Sequence, residues 1–106
     1  MKRIERPSKI RVGYRSINVA FVEASDLPED KDGIFDEAGA QIKIADTLSP
    51  QDAAQVTLHE VIHACWRRIS LEGDVEENAV EVLSENLAQV WRDNPSLIQW
   101  ISAGLA

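Results

Sequence analysis

The sequence predicts an α+β fold: a small N-terminal sheet, antiparallel or mixed, packed on one long helix and on a second helix antiparallel to it. Three observations predict this class. Apolar and polar residues alternate only before residue 47, helical periodicity begins only after Ser49, and turn residues separate the segments. A length of 106 residues suits a single domain spanning 1–106.

Two segments of the N-terminal half have the period of a strand. Residues 9–23, KIRVGYRSINVAFVE, alternate with a slip near Arg15, which indicates one long bent strand or a hairpin. Residues 24–33 contain Pro28, Gly33 and a cluster of acids, which are typical of a turn. After Ile34, Phe35 and a second turn signal, residues 40–46 alternate again and predict a strand with one apolar face.

The C-terminal half has strong helix signals. Ser49 can cap a helix that begins at Pro50, and we expect this helix to run to about Ser70. Gly73 interrupts the pattern, and a second helix is expected from residue 74 or 75 to about Arg92. Ser96 is expected to cap a short last helix.

Charge and cysteine content narrow the function classes. The net charge is −7, although residues 1–15 contain six basic residues and one acid. An acidic body repels phosphate backbones, so nucleic acid is not expected as a partner, and the basic start is expected to be solvated. A single cysteine excludes an intramolecular disulfide, and no segment resembles a signal peptide or a membrane span. We therefore expect a soluble protein of the cytoplasm.

The only two histidines, His59 and His63, lie four residues apart in the first predicted helix. This spacing places both imidazoles on one stripe of the helix, where their ring nitrogens can bind one ion. The stripe lies opposite a predicted apolar face that includes Leu58, Val61 and Ile62. Glu60 lies about 100° around the helix from His59, where its carboxylate can deprotonate a water held by the metal. The alternative is a helix with two unrelated surface histidines.

A catalytic zinc needs a third protein ligand, and the sequence contains no third histidine. Cys65 is expected to be a core residue because it falls on the apolar face. The second helix offers acidic residues, and Glu76 falls on its apolar stripe, where a buried carboxylate requires a partner. Glu76 is therefore the predicted third ligand, and Glu77 is the alternative. The alternative role for Glu76 is a first-turn acid that stabilises the helix N-terminus, and both roles can hold at once.

The segments TLHEVIHA and EENAVEVL together resemble the small zincin metallopeptidases whose third ligand is a glutamate. The outline is similar to the prophage and bacterial ImmA/IrrE-type peptidases and to short phage-encoded zincin-like proteins. The resemblance is specific at 56–65, moderate over 75–95 and weak over 1–48.

The resemblance implies a zinc-dependent peptidase in a bacterial or phage-infected cell. His59 and His63 would bind Zn²⁺, Glu60 would be the general base, and residues 40–46 would be an edge strand that aligns a peptide. The substrate would be a protein or peptide, such as a regulatory protein. The alternative function is a zincin-like regulatory or binding module that holds the metal with little turnover.

Some residues are not explained by the motif. Tyr14 and Arg67 are candidates to stabilise an oxyanion, and a structural or solvated role is the alternative for each. Trp66 and Trp91 are expected to pack between the helices. Trp100, near Leu97 and Ile101, is expected on an exposed apolar patch that would suit a partner or a homodimer contact.

Overall fold

The computed structural model describes residues 5–66 and 75–106 and confirms the α+β class. The described elements are β1 (Lys9–Val12), β2 (Arg15–Val22), a 3₁₀ turn (Ala24–Asp26), β3 (Gly33–Asp36), β4 (Gln41–Ala45), α1 (Pro50–Cys65), α2 (Val75–Asp93) and α3 (Pro95–Leu105).

The described strands form one mixed sheet in the order β1-β2-β4-β3. β1 and β2 form the predicted hairpin, β2 pairs with β4 in parallel, and β3 pairs with β4 antiparallel. The prediction that residues 40–46 form an edge strand is wrong, because β2 and β3 cover both sides of β4. The edge is instead β3, a four-residue strand that the sequence analysis did not assign.

The core lies on one face of the sheet. Every second residue of the strands is buried there: Ile10, Val12, Ile17, Val19, Ile42 and Ile44. α1 packs against β3 and β4, and α2 packs against β1. α3 reaches the same face through Trp100, whose ring meets that of Phe21 edge-on at 5.6 Å between centroids. The helices therefore form a single layer on the sheet.

The start of α1 matches its sequence signals. The Ser49 hydroxyl accepts a hydrogen bond from the Asp52 backbone N–H at 3.1 Å, and Pro50 is the first helical residue. The structure describes α1 to Cys65, and the predicted continuation over residues 67–70 lies outside the described residues. The amide of Asn86 in α2 donates to the Cys65 carbonyl at 2.7 Å, which ties the end of α1 to α2.

The second helix has its predicted limits, and the last helix begins differently from the prediction. α3 begins at Pro95, so Ser96 lies inside the helix and is not its cap. Asn94 precedes Pro95, but its side chain does not cap α3 either. Its amide instead donates to the carbonyls of Arg11 and Val90 and accepts from the Arg11 N–H.

The outer edge of β1 is covered by side-chain amides. Asn94 bonds both backbone groups of Arg11, and Gln89 accepts from the Gly13 N–H at 2.7 Å while donating to the Arg11 carbonyl at 3.0 Å. These bonds occupy groups that would otherwise be free to pair with another strand. One of the two edges of the sheet is thus blocked by α2 and the residue after it.

The predictions for the tryptophans are wrong. Trp91 is 65% exposed and Trp66 is 44% exposed, so neither is packed between helices. Trp100 is half-buried against Phe21, and its neighbours Leu97 and Ile101 are buried, so the expected apolar patch is part of the core. Trp100 therefore does not provide an exposed patch for a homodimer contact, and a homodimer stays a prediction. None of the helices in the described ranges is long and apolar enough to cross a bilayer.

Candidate metal and peptide site

A groove of about 740 Å³ lies between the edge strand β3 and helix α1. It is lined on the strand side by residues 30–35 and Glu37, and on the helix side by Gln55, Val56, His59, Glu60, His63 and Trp66. All three residues of the sequence-predicted motif therefore face one cavity. The site is formed by two elements that are distant in sequence: α1, as predicted, and β3 in place of the predicted edge strand at residues 40–46.

Gly33 sets the separation of the two walls. A Cβ atom at this position would lie 2.6 Å from Cγ1 of Val56, 3.1 Å from Cδ1 of Ile44 and 3.2 Å from the Lys43 carbonyl oxygen. Carbon atoms in ordinary contact lie about 3.5–4.0 Å apart, so no larger residue fits without displacing a neighbour. Glycine at 33 therefore allows β3 to approach the helix one turn before His59.

The two imidazoles converge as the i, i+4 spacing predicts. Nε2 of His63 lies 3.2 Å from Nε2 of His59, and the ring centroids are 4.8 Å apart with the planes at 66°. At this distance the pair can share a hydrogen bond in which one ring donates and the other accepts. The same distance is also short enough for both nitrogens to bind one ion.

The distance fits a tetrahedral ion. With Zn–N bonds of about 2.05 Å and a tetrahedral angle, two ligand nitrogens lie roughly 3.3 Å apart. The observed 3.2 Å is close to this value. Two neutral imidazoles on adjacent helical turns are also a common zinc donor pair. The residues present therefore fit two of the three protein ligands that a catalytic zinc requires.

Glu60 is almost fully buried, which was not predicted from the sequence. Its residue is 6% exposed, it lines the groove, and within residues 5–66 and 75–106 its carboxylate has no hydrogen-bond or ion-pair partner. Buried carboxylates normally have a partner, because an isolated charge is costly to desolvate. A carboxylate that is aimed into a groove without one is suited to bind or deprotonate something that enters the groove.

The buried face of α1 is rotated from its predicted position. The buried residues are Ala53, Ala54, Thr57, Glu60, Val61, Ala64 and Cys65, whereas Ile62 is exposed. The small residues at 53, 54, 57 and 64 allow close packing, for example of Ala54 on Gly104 of α3. This run of small side chains was the signal in the sequence for the true buried face. Thr57 lies on this buried face, and its hydroxyl lacks a hydrogen-bond partner in the described structure.

The open edge of β3 faces away from β4. The Ala45 N–H donates to the Asp32 carbonyl at 2.8 Å, so these opposed residues form a hydrogen-bonded pair. Hydrogen-bonded and non-hydrogen-bonded pairs alternate along antiparallel strands. The next non-bonded positions of β3 are Gly33 and Phe35, opposite Ile44 and Ile42. Their N–H and C=O groups therefore point outwards, beside the groove.

The third ligand is not brought to the histidines in the described residues. Glu76 and Glu77 are in the first turn of α2, and both are exposed. The prediction that Glu76 is buried on the apolar stripe of α2 is therefore wrong: the first turns of this stripe, at Glu76 and Val80, are exposed, and the stripe packs on the core only from Leu83 onwards. Across the parts of the chain that the structure describes, no three His, Cys, Asp or Glu side chains are grouped to hold a metal.

The remaining candidates lie away from the groove or outside the described residues. Tyr14 is 66% exposed in the turn between β1 and β2 and does not line the groove. Arg67 lies outside the described residues. Cys65 is fully buried, as predicted, and desolvation raises the pKa of its thiol to about 11. A buried thiol with a raised pKa is a poor metal ligand and a poor nucleophile.

Comparison of the chain with protein-family models, with curated proteins and with solved structures finds no match.

Proposed function

We propose that this protein is a zinc-dependent peptide-bond hydrolase in which His59 and His63 bind the metal and Glu60 is the general base. The observation that carries the proposal is the convergence of the two Nε2 atoms, 3.2 Å apart, in the groove that contains the buried Glu60 carboxylate. A pair of unrelated surface histidines would not need an unpartnered carboxylate beside it.

The residues of the groove have separate roles in hydrolysis. When bound, zinc supplies a Lewis acid that polarises a carbonyl and lowers the pKa of water towards about 7. A carboxylate oxygen of Glu60 accepts a proton from the attacking water and returns it to the leaving amide nitrogen. Proton transfer of this kind contributes about 10²–10⁴-fold in rate. Glu60 lines the groove, so its carboxylate can reach a water molecule that enters there.

The edge of β3 aligns the substrate. Gly33 and Phe35 present outward N–H and C=O groups to which an extended peptide can add as a further strand. The opposite edge of the sheet is blocked by the amides of Gln89 and Asn94. A peptide that pairs with β3 passes along the histidine side of α1, so its carbonyl groups come near the two imidazoles.

A carboxylate from the first turn of α2, Glu76 or Glu77, completes the ligand set in this proposal. The support is chemical, because zinc sites of this kind use three protein ligands and the described residues supply two nitrogens. Replacing Glu76 and Glu77 by Gln in turn should identify the ligand as the one whose loss weakens zinc binding about tenfold or more. Glu72 and Asp74, outside the described residues, are substituted in the same series.

The test of Glu60 compares two matched variants in zinc-loaded protein. Glu60→Gln should retain zinc and lose at least about 100-fold in peptide hydrolysis, measured with a quenched fluorescent peptide library. Glu85→Gln, the same change at an exposed position on α2 outside the groove, should leave both unchanged. Hydrolysis that survives Glu60→Gln contradicts the assigned base.

The measurements of zinc binding and hydrolysis also distinguish the hydrolase from the second candidate function. A protein that binds zinc and peptide but shows no hydrolysis above background in either form is a zincin-like binding or regulatory module. A regulatory-protein substrate, and a cytoplasmic location in a bacterial or phage-infected cell, are proposals that rest on the resemblance at 56–65 and 75–95.

A further inference from the structure

We infer that the groove selects extended polypeptides that place a lysine or arginine side chain against Asp30 and Asp32. This inference rests on the proposed function, because it names the substrate class of the same site. It is carried by the charge of the groove and by three of its carboxylates, those of Asp30, Asp32 and Glu60, which have no partner among the described residues.

The residues that line the groove are strongly acidic. Over residues 5–66 and 75–106 they include four carboxylates, Asp30, Asp32, Glu37 and Glu60, against a single lysine, Lys31. In the described ranges neither aspartate forms an ion pair or a hydrogen bond through its side chain, and Lys31 pairs with neither of them. Charges of one sign along a cleft concentrate ligands of the opposite sign.

The buried carboxylate is an independent sign of a ligand. Glu60 is nine-tenths buried, lacks a partner in the described residues and lines the same groove. Its negative charge adds to that of the loop and has less solvent around it to screen it. An acidic side chain of a peptide would meet several carboxylates here, whereas a basic side chain would meet one lysine.

The position of the aspartates relative to β3 determines which part of the peptide they contact. Asp32 directly precedes Gly33, the first residue of the edge strand, and Gly33 lies against Val56, one turn before His59. A peptide paired with Gly33 and Phe35 therefore passes the aspartates at one end of the groove. The selected basic residue lies to one side of the bond over the histidines and is not at that bond.

The test measures binding to metal-free protein, so it does not depend on turnover. The probes are three fluorescein-labelled decapeptides that are identical except at four positions, which are all Lys, all Gln or all Glu. Fluorescence anisotropy in low salt should give affinities in the order Lys, Gln, Glu. Two exposed ion pairs contribute roughly 3–20-fold to the Lys peptide over the Gln peptide, and added salt should reduce this ratio.

Two matched double variants test whether the preference for the Lys peptide depends on Asp30 and Asp32. Asp30→Asn with Asp32→Asn should remove most of the preference for the Lys peptide over the Gln peptide and leave the affinity for the Gln peptide nearly unchanged. Asp26→Asn with Glu29→Gln removes the same charge from the same loop outside the groove, and should keep most of the preference. Equal binding of the Lys and Gln peptides, binding of neither, or equal losses in both double variants would overturn the inference.

These measurements distinguish failure of the inferred peptide preference from failure of the proposed hydrolase function. A preference for the Lys peptide that depends on Asp30 and Asp32, without zinc binding or hydrolysis, supports the inference and contradicts the hydrolase. Zinc-dependent hydrolysis with no dependence on peptide charge supports the hydrolase and contradicts the inference.

Discussion

The separation of β3 from α1 can be tested by adding a single methyl group at Gly33. The new Cβ of Gly33→Ala would lie 2.6 Å from Cγ1 of Val56, about 1 Å inside ordinary carbon contact. The Lys43 carbonyl at 3.2 Å belongs to the central strand β4 and cannot easily move away. Overpacking of this kind costs about 1–3 kcal/mol in the free energy of unfolding.

The assay is urea unfolding followed by tryptophan fluorescence, in a double-mutant cycle with Val56→Ala. Truncating Val56 removes the closest atom to the new methyl group. The double variant should therefore be more stable than the sum of the single variants predicts, by about 1–2 kcal/mol. This positive coupling is the specific consequence of contact between the strand and the helix.

Gly104→Ala provides the matched control. Its Cβ would lie 2.7 Å from Cβ of Ala54 and 2.8 Å from the Pro50 carbonyl oxygen, so it is equally crowded but on the α3 side of the helix. It should destabilise the fold without being rescued by Val56→Ala. If Gly33→Ala is as stable as the wild type, or if Val56→Ala rescues both variants alike, then β3 does not lie against α1 as described.

Three further predictions follow from the packing and charge of the chain. Cys65 is fully buried, so a thiol reagent at pH 8 should modify it at least about 100-fold more slowly in folded than in urea-unfolded protein, and equal rates would contradict its burial. Hydrogen bonds from Arg92 and Gln89 lower the pKa of the Asp93 carboxyl to about 2, so the stability it contributes should persist above pH 4 and be lost as pH falls towards 2. Thermal unfolding of wild type and Asp93→Asn at several pH values measures this contribution. The wild type should be the more stable at pH 7, and the difference should disappear as pH approaches 2. Equal stabilities at pH 7 would show that Asp93 does not pair with Arg92 and Gln89. Asn94→Ala removes the amide that bonds the Arg11 backbone and should cost about 1–2 kcal/mol in urea unfolding, whereas no loss would show that the β1 edge is not held there.

The features that the sequence predicted well are those set by local geometry. The cap at Ser49 and the convergence of His59 and His63 depend only on residues within one or two turns of a helix. The strand at 41–45 follows from the alternation of Ile42 and Ile44, both of which are buried. These features required no knowledge of how the elements pack together.

The features that were missed depend on contacts between distant segments. β3 is four residues long and is stabilised by pairing with β4, so its own sequence has too few alternating positions to predict it. The burial of Glu60 depends on the rotation of α1 about its axis, which small residues such as Ala53 and Ala64 set. The exposure of Glu76 and Trp91 follows from how little of α2 is covered, since only Val90 of that helix is buried.

The most direct test of the central claim is the zinc content of the protein after equilibrium dialysis, measured by mass spectrometry of the metal. We expect about one zinc ion per chain, retained in Cys65→Ala and lost in both His59→Ala and His63→Ala. Wild-type protein that retains no zinc, or variants that retain it undiminished, would contradict the assignment of the two imidazoles as metal ligands.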